Sequence, residues 1–106
     1  MNLSALEQMT MLAILRQHPD AYGVTIQDQI GERTGKAPSI GSVYAALERL
    51  ERKGLVESRK GEPTAERGGR AKLYFTLTAS GAATLEQSLT ALDSLRKGLK
   101  IREATT

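Results

Sequence analysis

The sequence predicts an α+β chain, mainly helical, on three observations. Four stretches carry apolar residues at helical spacing. Two short runs that suit strands, Leu55 to Lys60 and Ala71 to Leu77, stand between the third and fourth of those stretches. The segment between the runs, Gly61 to Gly69, is rich in turn formers, contains Pro63 and Gly68, and is flanked by basic side chains. The resulting order is helix, helix, helix, strand, basic loop, strand, long helix. That is the outline of a winged helix-turn-helix domain with an additional long C-terminal dimerisation helix.

A chain of 106 residues predicts one domain with a modest core, the size at which a partner subunit often completes the structure. Cysteine is absent, which excludes disulfides, thiol catalysis and cysteine metal sites. No apolar run approaches the roughly 20 residues that span a bilayer. The N-terminus lacks the basic start and apolar core of a signal peptide, so the expected location is the cytoplasm. The net charge of +3 is unevenly spread. Residues 1–35 carry two basic and four acidic side chains, residues 36–72 nine and five, and residues 73–106 four and three. The positive excess therefore lies in the centre of the chain, where it can attract a polyanion.

Leu3 to Gln17 reads as the first helix, with Leu6, Met9, Met11, Leu12, Ala13, Ile14 and Leu15 on more than one face. Such a helix should be covered on two sides, one by its own core and one by a second subunit. His18-Pro19-Asp20 ends it. His18 is the only histidine and has no partner constellation, so it reads as a helix-end residue, not a ligand or a base. Tyr22-Gly23 is a turn. Val24 to Arg33 forms a second helix with Ile26 and Ile30 inward and Gly35 as its cap.

Ser39 to Lys53 is the stretch around which the rest is organised. Pro38 and Ser39 give the start signal and Gly54 the stop. Ile40, Val43, Leu47 and Leu50 share one face and are expected to be buried, while Ser42, Ala45, Arg49 and Arg52 form another, small in front and cationic behind. A helix of that shape fits a DNA groove, although an ordinary surface helix carries the same pattern. With the second helix it makes a helix–turn–helix pair. The hairpin that follows carries Arg59, Lys60, Arg67, Arg70 and Lys72, as a wing would; a solvated surface hairpin is the alternative. Leu73, Phe75 and Leu77 share one strand face.

Thr78 should cap the last helix, in which Leu85, Leu89, Leu92, Leu95 and Leu99 recur at steps of four, three, three and four. Roughly 20 residues make a rod about 30 Å long. It can dimerise, pack across the first helix, or do both. The expected organisation is residues 1–78 as the winged domain, residues 79–102 as the dimerisation helix and residues 103–106 as a frayed tail, with Leu6, Met9, Ala13, Leu85, Leu89, Leu92, Leu95 and Leu99 at the dimer interface.

The chain resembles the PadR family of transcriptional regulators. The matching residues are Ser42, Val43 and Tyr44 at the start of the third helix, then Leu47, Leu50, Gly54, Leu55 and Val56, then Tyr74 and Phe75 before Leu77, Thr78 and Gly81. Tyr22-Gly23-Val24 and Ile26 match the turn into the second helix. The resemblance implies a homodimeric DNA-binding regulator of the short branch, usually a repressor released by a small effector, with the first and last helices making the dimer. Ala45 departs from the proline common at its position, and no tryptophan is present to form the aromatic drug pocket of some members.

On this reading, double-stranded DNA is the partner, through a palindromic site with half-sites about 34 Å apart. Ser39 and the free amides behind it would take a phosphate, and Ser42 a phosphate or a base edge. Ala45 would touch a thymine methyl. Lys36 and Arg49 would hold the backbone, and Arg59, Lys60, Arg67, Arg70 and Lys72 belong to the basic wing. The family match gives the Tyr44 hydroxyl a phosphate; a core tyrosine is the other reading of that residue. Few side chains on the third helix can read bases, so much of the specificity should come from DNA shape and dimer spacing. A winged helix that binds protein instead is the alternative function. No acid–base, nucleophilic or metal constellation is visible, so neither catalysis nor a cofactor is expected.

Overall fold

The computed structural model describes residues 2–62 and 72–103. Helix α1 (Ala5–Arg16) begins in a reciprocal capping box: the Ser4 hydroxyl accepts the Glu7 amide at 3.1 Å and the Glu7 carboxylate accepts the Ser4 amide at 2.8 Å. Helix α2 (Gly23–Thr34) ends at Gly35, whose φ of 83° is the left-handed conformation expected of the cap. The Gln27 side-chain amide donates to the Pro38 carbonyl at 2.9 Å and pins the turn into α3 (Ile40–Arg52). Ser39 caps α3 by accepting the Ser42 amide at 3.1 Å.

A Schellman motif closes α3. Gly54 has φ 75°, its amide donates to Glu51, and the Leu55 amide donates to Leu50, each bond 3.0 Å long. Leu50 and Leu55 are both buried, which supplies the apolar contact of that motif. Strands β1 (Val56–Lys60) and β2 (Leu73–Leu77) pair antiparallel, from Val56 opposite Leu77 to Lys60 opposite Leu73. The Phe75 amide donates to the Ala21 carbonyl at 2.8 Å, so the segment ahead of α2 borders the hairpin.

Helix α4 (Ala79–Arg96) starts on Thr78, whose hydroxyl accepts the Gly81 amide at 2.9 Å and donates to the Gly54 carbonyl at 2.7 Å. These bonds press the first turn of α4 onto the junction of α3 and β1. A Cβ on Gly81 would overlap the Leu55 carbonyl oxygen, so only glycine fits there. Met11, Ile14, Ile26, Val43, Leu47, Leu50, Leu55, Val56, Phe75 and Leu85 form the core. The architecture is α+β and mainly helical, with helix–turn–helix and hairpin in winged-helix order. Beyond Leu89, which still packs on the core, α4 projects outward, and the molecule measures 58 × 28 × 19 Å.

Two sequence expectations change, for Ile40 and for the end of the last helix. Ile40 is 36% exposed, because the apolar period of α3 begins one turn before its buried stripe of Val43, Ala46, Leu47 and Leu50. Leu73 keeps to the strand face of Phe75 and Leu77 but is exposed, because its register places it opposite Lys60, at the end of the hairpin farthest from the core. Helix α4 stops at Arg96, since Gly98 turns left-handed at φ 82°; Leu99 therefore lies beyond the helix. Arg67 and Arg70 lie outside the described residues.

Candidate nucleic-acid interface

The buried stripe of α3 determines which residues face outward. Opposite it, at steps of four, three and four, lie Gly41, Ala45, Glu48 and Arg52, all exposed. This differs from the outward face read from the sequence, which comprised Ser42, Ala45, Arg49 and Arg52. Ser42 and Arg49 sit on the flank of the outward face, and Glu48 occupies its centre. At the front, the Ser39 hydroxyl donates to the Ser42 hydroxyl at 2.8 Å, and both residues are exposed beside the first amides of the helix. Lys36 is exposed in the turn just before them.

Arg49 is drawn aside by an acid from another helix. Its Nε donates to Glu7 Oε2 at 3.4 Å, and Lys53 Nζ donates to the same oxygen at 2.9 Å. Glu7 is only 3% exposed. Burial pushes its carboxyl up, but the Ser4 amide, the Lys53 ammonium and the Ser4 hydroxyl together outweigh burial and hold it below the usual 4.5. The carboxylate thus begins α1 and also ties down the basic end of α3. Arg49 makes this contact from the flank of α3 while its side chain stays 39% exposed.

Tyr44 is not a core tyrosine: it is 48% exposed. Its ring lies over the start of α2, where a Cβ on Gly23 would come within 2.5 Å of the hydroxyl. The glycine is what lets the phenol sit there. At the base of the wing, Arg59 and Tyr74 face each other across the strands, and the guanidinium stands 4.8 Å from the ring centroid. Arg59 also donates to the Pro19 carbonyl at 2.8 Å. Tyr22 meets Tyr74 edge to face at 5.9 Å, and Lys72 Nζ lies 4.5 Å from the Tyr22 centroid. The two tyrosines thus hold two cations at the loop end of the hairpin, where the wing begins. Lys60 is exposed at the same end.

Comparison with known proteins places this geometry. The Transcriptional regulator PadR-like family matches residues 11–87. The chain belongs to the PadR-like family of transcriptional regulators.

Solved structures agree with this membership. A PadR family transcription regulator from Clostridium difficile R20291 is 26% identical, with TM-score 0.74 over 89% of this chain and 93% of that one. A transcriptional regulator from Clostridium thermocellum has TM-score 0.76 at 20% identity and covers 99% and 100% of the two chains. Bacillus subtilis PadR in complex with operator DNA has TM-score 0.67 at 21% identity, over 83% of this chain and 48% of its own. Among curated protein sequences none matches significantly.

In this PadR-like chain the residues expected at a dimer interface divide into three groups. Leu92, Leu95 and Leu99 are well exposed, with Leu95 at 76%. Leu6, Met9 and Leu89 are half-buried. Leu85 instead lies in the subunit's own core and has no surface to offer a second copy. Ala13, also enclosed, forms part of the floor of a groove of about 210 Å³ between α1 and α2, with Met9, Leu12 and Ile30 beside it and Arg16 and Arg33 on its rim. Sequence reasoning missed Glu7, Glu48 and the ring contacts of Tyr22. Only the centring of the α3 face on Gly41 and Ala45 could have drawn attention to Glu48. Among the described residues no group of acidic, histidine or cysteine side chains could hold a metal, and no helix is long and apolar enough to cross a membrane.

Proposed function

We propose that this PadR-like regulator binds double-stranded DNA in a sequence-specific manner, as a homodimer, at a palindromic operator. The outward face of α3 carries this reading: it is small and open at Gly41 and Ala45, has two hydroxyls at its front, and is followed by cations at the wing root. Such a surface allows close approach to a groove floor while Lys36, Lys60, Lys72 and the wing arginines meet phosphates. The complex of Bacillus subtilis PadR with operator DNA supports the same use of the fold. The proposed role is repression in the cytoplasm, relieved by a small effector, as family membership suggests.

The proposed dimer uses the projecting end of α4. Leu92, Leu95, Leu99 and Ile101 find no core in their own subunit. The groove between α1 and α2 of a second copy offers Met9, Leu12 and Ile30, and its rim arginines would meet Asp93 beside those leucines.

A titration against the DNA upstream of the protein's own gene, beside a scrambled duplex, at two salt concentrations, tests the reading. Preference of about a thousandfold with a steep salt slope is the expected result. Equal binding of both duplexes would overturn specificity for that site. No binding at low salt by effector-free protein would favour a protein-binding module.

A further inference from the structure

We propose that Glu48 determines sequence specificity by reading a cytosine in the major groove through that base's exocyclic amino group. The inference rests on the DNA-binding reading above and names the residue that would select the base.

Glu48 stands at the centre of the outward face of α3, opposite Val43, Ala46, Leu47 and Leu50. Its side chain is 73% exposed. The two residues ahead of it on the same stripe are Gly41 and Ala45, and a Cβ built on Gly41 would meet nothing within 4 Å. With so little side chain in front, the helix can approach base edges closely, and Glu48 is the first residue of the stripe long enough to bond them. It lies about 13 Å along the helix from the Ser39 cap, within the turns that a recognition helix places in the groove.

The chemistry then narrows the base. An ionised carboxylate only accepts hydrogen bonds. Guanine offers the major groove two acceptors, and thymine an acceptor and a methyl group. Adenine offers a donor, but its N7 acceptor lies beside it and repels a carboxylate. Cytosine offers its amino group with no adjacent acceptor of its own. Arg52, one turn on, has Nη1 at 3.9 Å from Glu48 Oε1 and moderates the charge that the carboxylate brings towards the phosphates. At any base without a donor the carboxylate meets only repulsion, so it also rejects wrong sequences.

The test is selection from a random duplex library by the full chain, with wild type, Glu48→Ala and Glu48→Gln in parallel. The substitutions fall on an exposed side chain outside the core. The wild-type motif should hold a fixed cytosine in each half-site, with about tenfold weaker binding when that base is changed. Glu48→Ala should lose the preference at that position alone. Glu48→Gln should move it towards adenine, whose N6 and N7 match a side-chain amide. If both variants select the wild-type motif unchanged, Glu48 only supports the helix and the proposal fails. If wild type selects no motif, sequence-specific DNA binding itself fails, and the inference falls with it.

Discussion

Replacing Glu7 with Gln removes the charge that anchors the basic end of α3 while keeping nearly the same volume. The carboxylate accepts the Ser4 amide at 2.8 Å, which a glutamine oxygen can also do, so the cap should survive. What is lost is the ionic contact with Lys53 at 2.9 Å and Arg49 at 3.4 Å. A hydrogen bond to a charged group contributes about 1.5–3 kcal/mol. The Arg49 and Lys53 side chains are 39% and 31% exposed and can return to water, which places the combined loss near the low end, at about 2 kcal/mol. Urea unfolding of both proteins at one protein concentration should show the midpoint falling by about 1–2 M.

The pH dependence gives a second signature. Because the folded carboxyl titrates below 4.5, ionised Glu7 stabilises the fold fully above that value, and the stabilisation disappears as pH falls through the lowered folded value. The gap between wild type and Glu7→Gln should therefore be constant from neutral pH down to about pH 5.5 and close at still lower pH. A gap under about 0.5 kcal/mol at neutral pH, or one equally large at about pH 3, would refute the argument.

Other outcomes follow from the geometry. Gly81→Ala forces a methyl group against the Leu55 carbonyl and should cost about 2–3 kcal/mol in the same urea assay; a cost below about 0.5 would show that the junction yields. Leu95→Glu should leave the fold of one subunit intact, because that side chain is 76% exposed, yet halve the mass seen by sedimentation; an unchanged mass would remove α4 from the interface. Replacing Arg67 and Arg70 together with Ala should weaken binding to all DNA sequences alike and flatten the salt slope by roughly 2. An unchanged slope would take those arginines out of the wing's phosphate contacts.

Much of the local structure was legible in the sequence because its causes lie within a few residues. Ser39 caps α3, Gly35 and Gly54 turn left-handed where helices stop, and Thr78 caps α4, each through neighbours one turn away or less. The periods of Val43, Leu47 and Leu50 and of Ile26 and Ile30 likewise named core residues, since a helix face is set by spacing alone. The order of elements was enough for the fold class, and the residues from Ser42 to Val56 and from Tyr74 to Gly81 for the family resemblance. What the tertiary structure decided depends on residues far apart in the chain. Nothing near Glu7 in the sequence names its partners; packing brings Lys53, 46 residues away, and Arg49 onto its carboxylate. Tyr22 reads as part of a turn until the sheet sets Tyr74 against it. Ile40 and Leu73 follow an apolar period beyond the point where there is a core to receive it. Spacing assigns a residue to a face, but only the packed neighbours determine whether that face is covered, and by which charge.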